Sequence, residues 1–581
     1  MTSVPSLTAT LSSRLGNLVA SVLPDAASTD PMIRRSEHAD FQANGILALA
    51  KRHGGNPRAL AEQIAAELPA DDTIATVTVA GPGFLNVTVT EQALWRQIAA
   101  RSADDRLGVE RSAEGITVID YSQPNIAKEM HVGHLRSTII GDALARILTD
   151  LGSTVHRQNH LGDWGTQFGM LIQYLEEHPD QRYHGAADTG RSISRLNSLY
   201  RAARERFEAD SEFAGRARLR VVALQAGDEP TMTVWREIVA ESTVYFNAIY
   251  AQLDVLLTDG DAIGESFYNH MLPDVVTDLE TAGIAVRSDG AACIFSETIT
   301  GPDGNPAPLI IQKSDDGYGY ATTDLAAIRY RVSTLKADRI LYVVDARQAL
   351  HFKMVFDAAR RAGWLPEHVE AVHAAFGTVL GPDGKPFKTR AGQTVRLAEL
   401  LDAAVEHARG VLAEKSPHLT GDDLDLRAKQ VGIGSVKYAD LSTSRTRDYT
   451  FNLDRMLSLN GNTGVYLQYA YARICSLQRK AGLTPAPVQT ELPMAAAERR
   501  LALHLDGFGD AVTQVAQTLE PHQLCTYLFE LAQAFTAFYE SCPVLKTEPA
   551  VRDNRLHLSD LTGRTLQTGM TLLGIATPQE L

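Results

Sequence analysis

Lys128-Glu129-Met130-His131-Val132-Gly133-His134 places two imidazoles and an ammonium close together in the chain. At the start of a helix such a set suits an anion, because free N–H groups and the macrodipole both favour negative charge there. Gly133 lets a bulky ligand approach the backbone. The chemistry is phosphate binding in kind, although the Walker pattern G-x-x-x-x-G-K-[ST] is absent. Taken alone, H-x-G-H also describes two histidines capping a helix. A second basic group follows in Gly381-Pro382-Asp383-Gly384-Lys385-Pro386-Phe387-Lys388-Thr389-Arg390, which by itself reads as a solvated turn. A third set is Tyr320 and Asp324, four residues apart and so able to face one pocket from a helix start. Asp120 is a further acid, at a strand end.

These residues need elements to hold them. Ile116-Thr117-Val118-Ile119 reads as a buried strand before the histidines, and Ile140, Leu144, Ile147 and Leu151 recur at helical spacing after them, with Gly152 as the stop. The next strand, Thr154 to Gln158, ends in the polar turn Asn159 to Gly165. Residues 166 to 262 are polar and largely helical, an insertion. Cys293-Ile294-Phe295 and Leu309-Ile310-Ile311 form a hairpin through Pro302-Asp303-Gly304-Asn305 within a second insertion, near 285–316. Gly317 to Asp324 opens a helix with Thr322 or Thr323 as its cap. Ile340 to Val344 is a buried strand ending at Asp345, Gln348 and His351 lead a helix that stops at Gly363, and Val369 to Phe376 is a further strand. Strands alternating with helices predict a doubly wound parallel sheet, Rossmann-like, over residues 113–395.

Residues 1–112 read as an accessory α+β unit: a helical segment Ala39 to Lys51, another opened by Pro57, then two strands joined by Ala80-Gly81-Pro82-Gly83. A helical connecting region spans 396–450 and a helical bundle 451–581. In the bundle Leu524, Leu528, Leu531, Phe535 and Phe538 share one core stripe. Tyr466, Gln468 and Tyr469 lie in a segment rich in rings, amide and guanidinium groups, which suits unpaired RNA bases or, equally, a helix interface.

With 581 residues the chain is multidomain α/β. A net charge of −15 argues against indiscriminate nucleic-acid binding without excluding a local basic face. The cysteines Cys293, Cys475, Cys525 and Cys542 are scattered, so neither a zinc site nor a disulfide framework is expected and a reducing compartment, the cytoplasm, is. No apolar run reaches the length of a membrane span, and no export signal is apparent.

Ser122-Gln123-Pro124-Asn125-Ile126-Ala127-Lys128-Glu129-Met130-His131-Val132-Gly133-His134-Leu135-Arg136-Ser137 resembles the class I aminoacyl-tRNA synthetase signature, in the form carried by arginyl-tRNA synthetases. The likeness extends over nearly the full chain. Gly81-Pro82-Gly83-Phe84-Leu85-Asn86-Val87 is similar to the family's N-terminal domain, associated with the corner of tRNA. Lys385-Pro386-Phe387-Lys388-Thr389 resembles the class I lysine loop with Phe387 and Thr389 in place of serines. Asn462-Thr463 through Tyr466-Leu467-Gln468-Tyr469-Ala470 resembles the anticodon-binding domain.

The resemblance implies ATP-dependent activation of L-arginine and transfer to tRNA(Arg), with Mg²⁺ accompanying ATP, no zinc and a monomeric enzyme. It implies that His131, Gly133 and His134 hold the nucleotide, with Lys388 and either Lys128 or Lys385 on the pyrophosphate. Asp120 and Asp324 then take the guanidinium beside Tyr320, Asn125 and Gln348 hold the amino-acid head, and Tyr466, Gln468 and Tyr469 meet tRNA. Two rivals remain in other classes: a small-molecule adenylyltransferase, which would charge no tRNA, and a tRNA-binding paralogue without ATP turnover. The cysteinyl enzyme is disfavoured by the missing zinc-ligand cysteines.

Overall fold

The computed structural model describes residues 4–23, 30–182, 189–300, 304, 306–314, 317–387 and 395–581. Its centre is a five-stranded sheet, every neighbouring pair parallel, in the order Glu370–His373, Arg339–Tyr342, Ile116–Asp120, Thr154–Leu161, Ala262–Gly264. The chain enters at the middle strand, moves out one way, then returns to fill the other side. That reversal leaves a crevice beyond the strands' carboxyl ends, where open α/β sheets bind ligands. Asp120 pairs in register with Tyr342 on one side and Gln158 on the other, so these three residues meet at that edge.

The helix Val132–Asp150 follows the first strand, and Ile139, Ile140, Ala143, Leu144, Ile147 and Leu148 along it are buried. It ends at Leu151, after which Gly152 takes φ 106°, a conformation glycine adopts without strain. Within 166–262 the helices are Thr166–Glu177, Thr189–Ala209, Ser211–Gln225 and Glu229–Leu253. The insertion then yields Ala262–Gly264, the edge strand of the main sheet. The hairpin of the second insertion pairs Ala291–Thr300 with Pro306–Gln312, and Ala285–Ser288 adds a third antiparallel strand. Of its expected turn, Pro302, Asp303 and Asn305 lie outside the described residues.

Three expectations need correction. The segment Ala39 to Lys51 is not one helix: Phe41–Ala43 is a strand paired with Ile33–Arg35 and Phe84–Val89, and the helix is Gly45–Arg52. Phe41 and Ala43 point into the core while Gln42 donates to Asn86 Oδ1 at 2.7 Å, a period of two that a helix cannot satisfy. Neither Thr322 nor Thr323 caps its helix. Gly319 does, because the Thr322 hydroxyl instead donates to the Ile311 carbonyl of the hairpin. The last sheet strand is the shorter Glu370–His373.

The connecting region is the pair Leu397–Lys415 and Gly421–Leu441. Beyond it, Gly464–Ala481, Ala496–Asp506, Phe508–Thr518, His522–Ser541 and Pro549–Leu572 make the C-terminal bundle, with Leu524, Leu528, Leu531, Phe535 and Phe538 all in its core. The N-terminal unit docks on this bundle. Asp506 receives the Leu7 amide at 2.8 Å and pairs with the buried Arg101 at 2.8 Å, and the Trp95 indole donates to the Leu492 carbonyl at 2.8 Å. No helix among the described residues is long and apolar enough to cross a membrane.

Candidate active site

The turn between the first strand and its helix is held in a strained shape. Ser122, Gln123 and Ala127 have φ of 75°, 53° and 62°, the left-handed region that costs a non-glycine residue about 1–2 kcal/mol. Each strained amide is gripped by a side chain from elsewhere. Ser137 Oγ accepts from Ser122 N at 2.9 Å, Asn159 Oδ1 from Gln123 N at 3.0 Å and Ser242 Oγ from Ala127 N at 3.0 Å. Strain over-determined in this way marks a site whose geometry matters more than its local energy. Asn125 bridges to Gly162, where any Cβ would come within 2.4 Å of its Oδ1.

His131 caps the helix Val132–Asp150. Its Nδ1 accepts from Gly133 N at 3.0 Å, and His134 Nδ1 accepts from His131 N at 3.1 Å. The two rings lie 4.0 Å apart. A Cβ on Gly133 would meet the His131 ring at 2.7 Å, so glycine is what lets that ring fold back. Burial and the mutual charge of the pair lower His134 to about 3, and burial with Arg347 and Lys128 lowers His131. Both imidazoles are therefore neutral near pH 7. With Nδ1 accepting, the hydrogen of each sits on Nε2, and the site presents two neutral Nε2–H donors.

The expected cradle of free backbone amides is absent here. Val132 N donates to Val395 O at 3.2 Å, Gly133 N to the His131 ring, and His134 N to His131 O at 2.8 Å. An anion at this helix start would meet side chains rather than backbone amides. Lys128 Nζ lies 5.2 Å from the centre of the Tyr200 ring, and burial lowers its pKa.

Lys388 and Thr389 lie outside the described residues, which stop at Phe387 and resume at Val395. Both ends are fixed. Phe387 stacks on Phe451 with ring centres 5.3 Å apart and its amide bonds Val379 O at 3.1 Å. Val395 holds the Val132 amide, and Arg396 pairs with His131 in an antiparallel bridge. The described chain thus resumes directly against the histidine turn, at Val395 and Arg396. Lys385 is exposed, in a turn closed by Gly381 N to Lys385 O at 2.7 Å.

Across the crevice, Tyr320 opens the helix Tyr320–Ser333 and is 74% exposed. Asp324 Oδ2 accepts from His351 Nε2 at 2.6 Å, which leaves Oδ1 for a second donor. Gln348 is exposed at the start of Ala349–Arg361. Asp120, by contrast, is committed inside the protein. Its Oδ2 receives Arg331 Nη2 at 2.6 Å and its Oδ1 receives Gln123 Nε2 at 2.6 Å, with its side chain only 3% exposed. Arg331 also donates Nε to Gln158 at 2.6 Å and lies over the Tyr342 ring. Asp120 therefore anchors the helix that carries Tyr320 and Asp324, and the expectation that it offers a free carboxylate to the substrate does not fit this geometry.

In the bundle the expected tRNA strip separates. Gln468 is fully buried and donates to the carbonyls of Gln430 at 3.1 Å and Ala576 at 2.9 Å, so it holds the C-terminal segment rather than facing outward. Tyr466 packs edge-on to Phe529 and bonds Thr536 at 3.2 Å. Tyr469 is 42% exposed, with Arg473 stacked between it and Tyr539 at 4.9 and 5.5 Å. These three line a cleft of about 520 Å³, with Arg479, Lys480 and His418.

The sequence matches the family model described as tRNA synthetases class I (R), catalytic domain, over residues 97–453. It also matches the Arginyl tRNA synthetase N terminal domain over 6–89 and the DALR anticodon binding domain over 467–581. An arginine–tRNA ligase of Frankia casuarinae is 62% identical over 565 residues, covering 96% of each chain. The chain belongs to the arginyl-tRNA synthetase family. Its Streptomyces avermitilis relative, also an arginine–tRNA ligase, is 56% identical over 100% of both chains. Among solved structures, arginyl-tRNA synthetase from Plasmodium falciparum superposes with a TM-score of 0.86 at 29% identity, covering 100% of both chains. That from Thermus thermophilus gives 0.83 at 25%, covering 99% of this chain and 100% of the other.

Two groups at this synthetase's site escaped the sequence reading. Glu265 is half-buried and faces the same crevice. Burial, then the charges of Asp163 and Asp324, raise its carboxyl to about 8, and burial, then the Glu265 charge, raise the Tyr320 hydroxyl. Arg347, beside Gln348, lies near enough to help lower His131. Neither sits in a motif. The signal for Glu265 was only its place just after the edge strand's Gly264.

Proposed function

We propose that the chain is an arginine–tRNA ligase whose active centre divides between the histidine turn and the Tyr320 helix. The arginine carboxylate attacks the α-phosphate of ATP in line, the bond to the β-phosphate breaks, and pyrophosphate leaves. The terminal ribose hydroxyl of tRNA(Arg) then attacks the adenylate carbonyl and AMP departs. No protein nucleophile is required, so catalysis is positioning and charge stabilisation. His131 and His134 serve the phosphates as neutral Nε2–H donors, with Gly133 beneath the nucleotide. Lys388, with either Lys128 or Lys385, neutralises the pyrophosphate charge, and Mg²⁺ arrives with ATP.

Asp324 and Glu265 form the guanidinium site beside Tyr320, since a planar cation is best matched by carboxylates. Asn125 and Gln348 take the amino-acid head. Asp120 acts by holding the helix of Asp324. Tyr469, Arg473 and Tyr539 stack unpaired tRNA bases in the cleft of the bundle. The enzyme works as a cytoplasmic monomer.

The observation that carries this reading is the pairing of two neutral imidazole donors with an acidic pocket across one sheet crevice. Aminoacylation of bulk tRNA with each of the twenty amino acids tests it. Charging of arginine alone is expected. Adenylate formation without tRNA charging would favour an adenylyltransferase, and tRNA binding without ATP turnover an inactive paralogue.

A further inference from the structure

Glu129 lies immediately before Met130 and His131, yet nothing in the phosphate chemistry needs an acid there. Its side chain is 9% exposed, and Oε2 receives Arg396 Nε at 3.1 Å and Asn197 Nδ2 at 2.8 Å. Arg396 is the residue whose backbone pairs with His131, flanked by Val395 O on the Val132 amide at 3.2 Å and Leu397 N on Met130 O at 2.9 Å. A short antiparallel ladder therefore fixes the histidine turn against the chain leading into Leu397–Lys415, and the Glu129–Arg396 pair closes it from the side-chain face. Asn197 comes from the insertion helix Thr189–Ala209. One turn along, Tyr200 on the same face holds Lys128. Tyr245, from Glu229–Leu253, faces the same carboxylate, whose charge helps raise it after burial.

We propose that Glu129 is a positioning residue for adenylate formation: through Arg396 and Asn197 it fixes the histidine turn against both the segment following the lysine loop and the first insertion. Arg396 is 43% exposed, so the pair adds little to stability. Its effect is geometric, and a displacement of about 1 Å at a reacting centre costs about 100-fold in rate. The inference rests on the reading of His131 and His134 as phosphate-binding groups.

The test is arginine-dependent ATP–pyrophosphate exchange with tRNA present. It uses the full-length protein and its Glu129→Ala, Glu129→Gln, Arg396→Ala and Glu129→Ala/Arg396→Ala variants, each checked by thermal unfolding. Expected is a fall in kcat of about 10- to 100-fold for Glu129→Ala and Arg396→Ala, with KM for arginine within about twofold of native. Glu129→Gln, which keeps the acceptor, should recover part of the loss. The double variant should be no worse than the poorer single, because partners in one contact do not add. Normal kcat in both alanine variants, losses that multiply in the double, or an effect confined to KM for arginine would each overturn the proposal. If Glu129→Ala does not fold, Glu129→Gln, Arg396→Ala and the double Glu129→Gln/Arg396→Ala decide by the same criteria. Absence of exchange in the native protein would instead defeat the functional reading itself.

Discussion

Arg331 Nη2 lies 2.6 Å from Asp120 Oδ2, with both side chains sealed from solvent. The pair joins the end of the central strand to the helix that presents Asp324 two turns earlier. Burial opposes the charge on Arg331, and Asp120 restores it. Asp120→Asn leaves that cation poorly matched, and breaking a buried pair this way costs about 3–5 kcal/mol. A clear fall in the unfolding midpoint is expected, together with loss of arginine activation. An unchanged midpoint with only a raised KM for arginine would return Asp120 to the substrate.

At the histidine turn both rings are neutral, and their Nε2–H groups are the proposed donors. His134→Asn can replace the Nδ1 acceptor but not the Nε2–H, whereas His134→Gln can place an amide N–H near the Nε2 position. The asparagine variant should lose about 10²–10³ in turnover, the scale of one lost donor, and the glutamine variant less. Equal losses, or near-normal turnover in either, would remove the Nε2–H from the mechanism. A pH consequence follows from His134 at about 3 in the fold, against roughly 6.5 when unfolded. Between those values the unfolded chain binds the extra proton. The stability contributed by the neutral ring is therefore complete above about pH 6.5 and lost progressively as pH falls toward 3. The unfolding midpoint of native protein should fall relative to that of His134→Gln as pH drops across that range.

Asp324→Asn keeps shape and removes charge. Arginine charging should fall by about two to three orders of magnitude, the equivalent of a broken buried pair. Lysine and citrulline should be rejected by the native enzyme by about 10⁴ or more, since each leaves polar groups unmatched. Normal charging by Asp324→Asn would leave Asp324 a solvated helix acid.

Glu265, raised to about 8, is mostly protonated at pH 7 in the free enzyme. An arriving guanidinium favours the carboxylate, so arginine binding should release a proton. Calorimetry in two buffers of different ionisation enthalpy measures that proton. Affinity should rise as pH increases toward about 8 and level off above it, relative to Glu265→Gln, which should release none. Proton release unchanged in Glu265→Gln would place the titration elsewhere.

In the bundle, Tyr469→Ala should raise KM for tRNA by the equivalent of about 1–3 kcal/mol of stacking and leave KM for arginine alone. Gln468→Ala should instead lower the unfolding midpoint, because two carbonyls lose their donor. The reverse pattern would make Gln468 the RNA contact.

What the sequence disclosed follows the reach of its signals. His131, Gly133 and His134 are a local pattern on a strand–turn–helix unit, and the structure builds that unit as the spacing implies. Gln468 and Tyr469 are adjacent in a motif but about 100° apart on a helix, so one faces the core and the other the cleft. Helical phase carried that distinction, and the motif string hid it. Asp120 finds Arg331 at a separation of 211 residues, which no local pattern encodes. Phe41–Ala43 is too short to outweigh the helical run after it, and only its sheet neighbours decide it.

The docking of the N-terminal unit also bears on how the molecule is made. Asp506 holds the amide of Leu7 across 499 residues. At roughly 5–20 residues per second, about 25 to 100 seconds separate their emergence from the ribosome. Throughout that interval the first helix has no Asp506 to receive it, and Trp95 has no Leu492 carbonyl. The nascent N-terminal unit waits with that docking face uncovered, and a chain ended before the bundle never covers it.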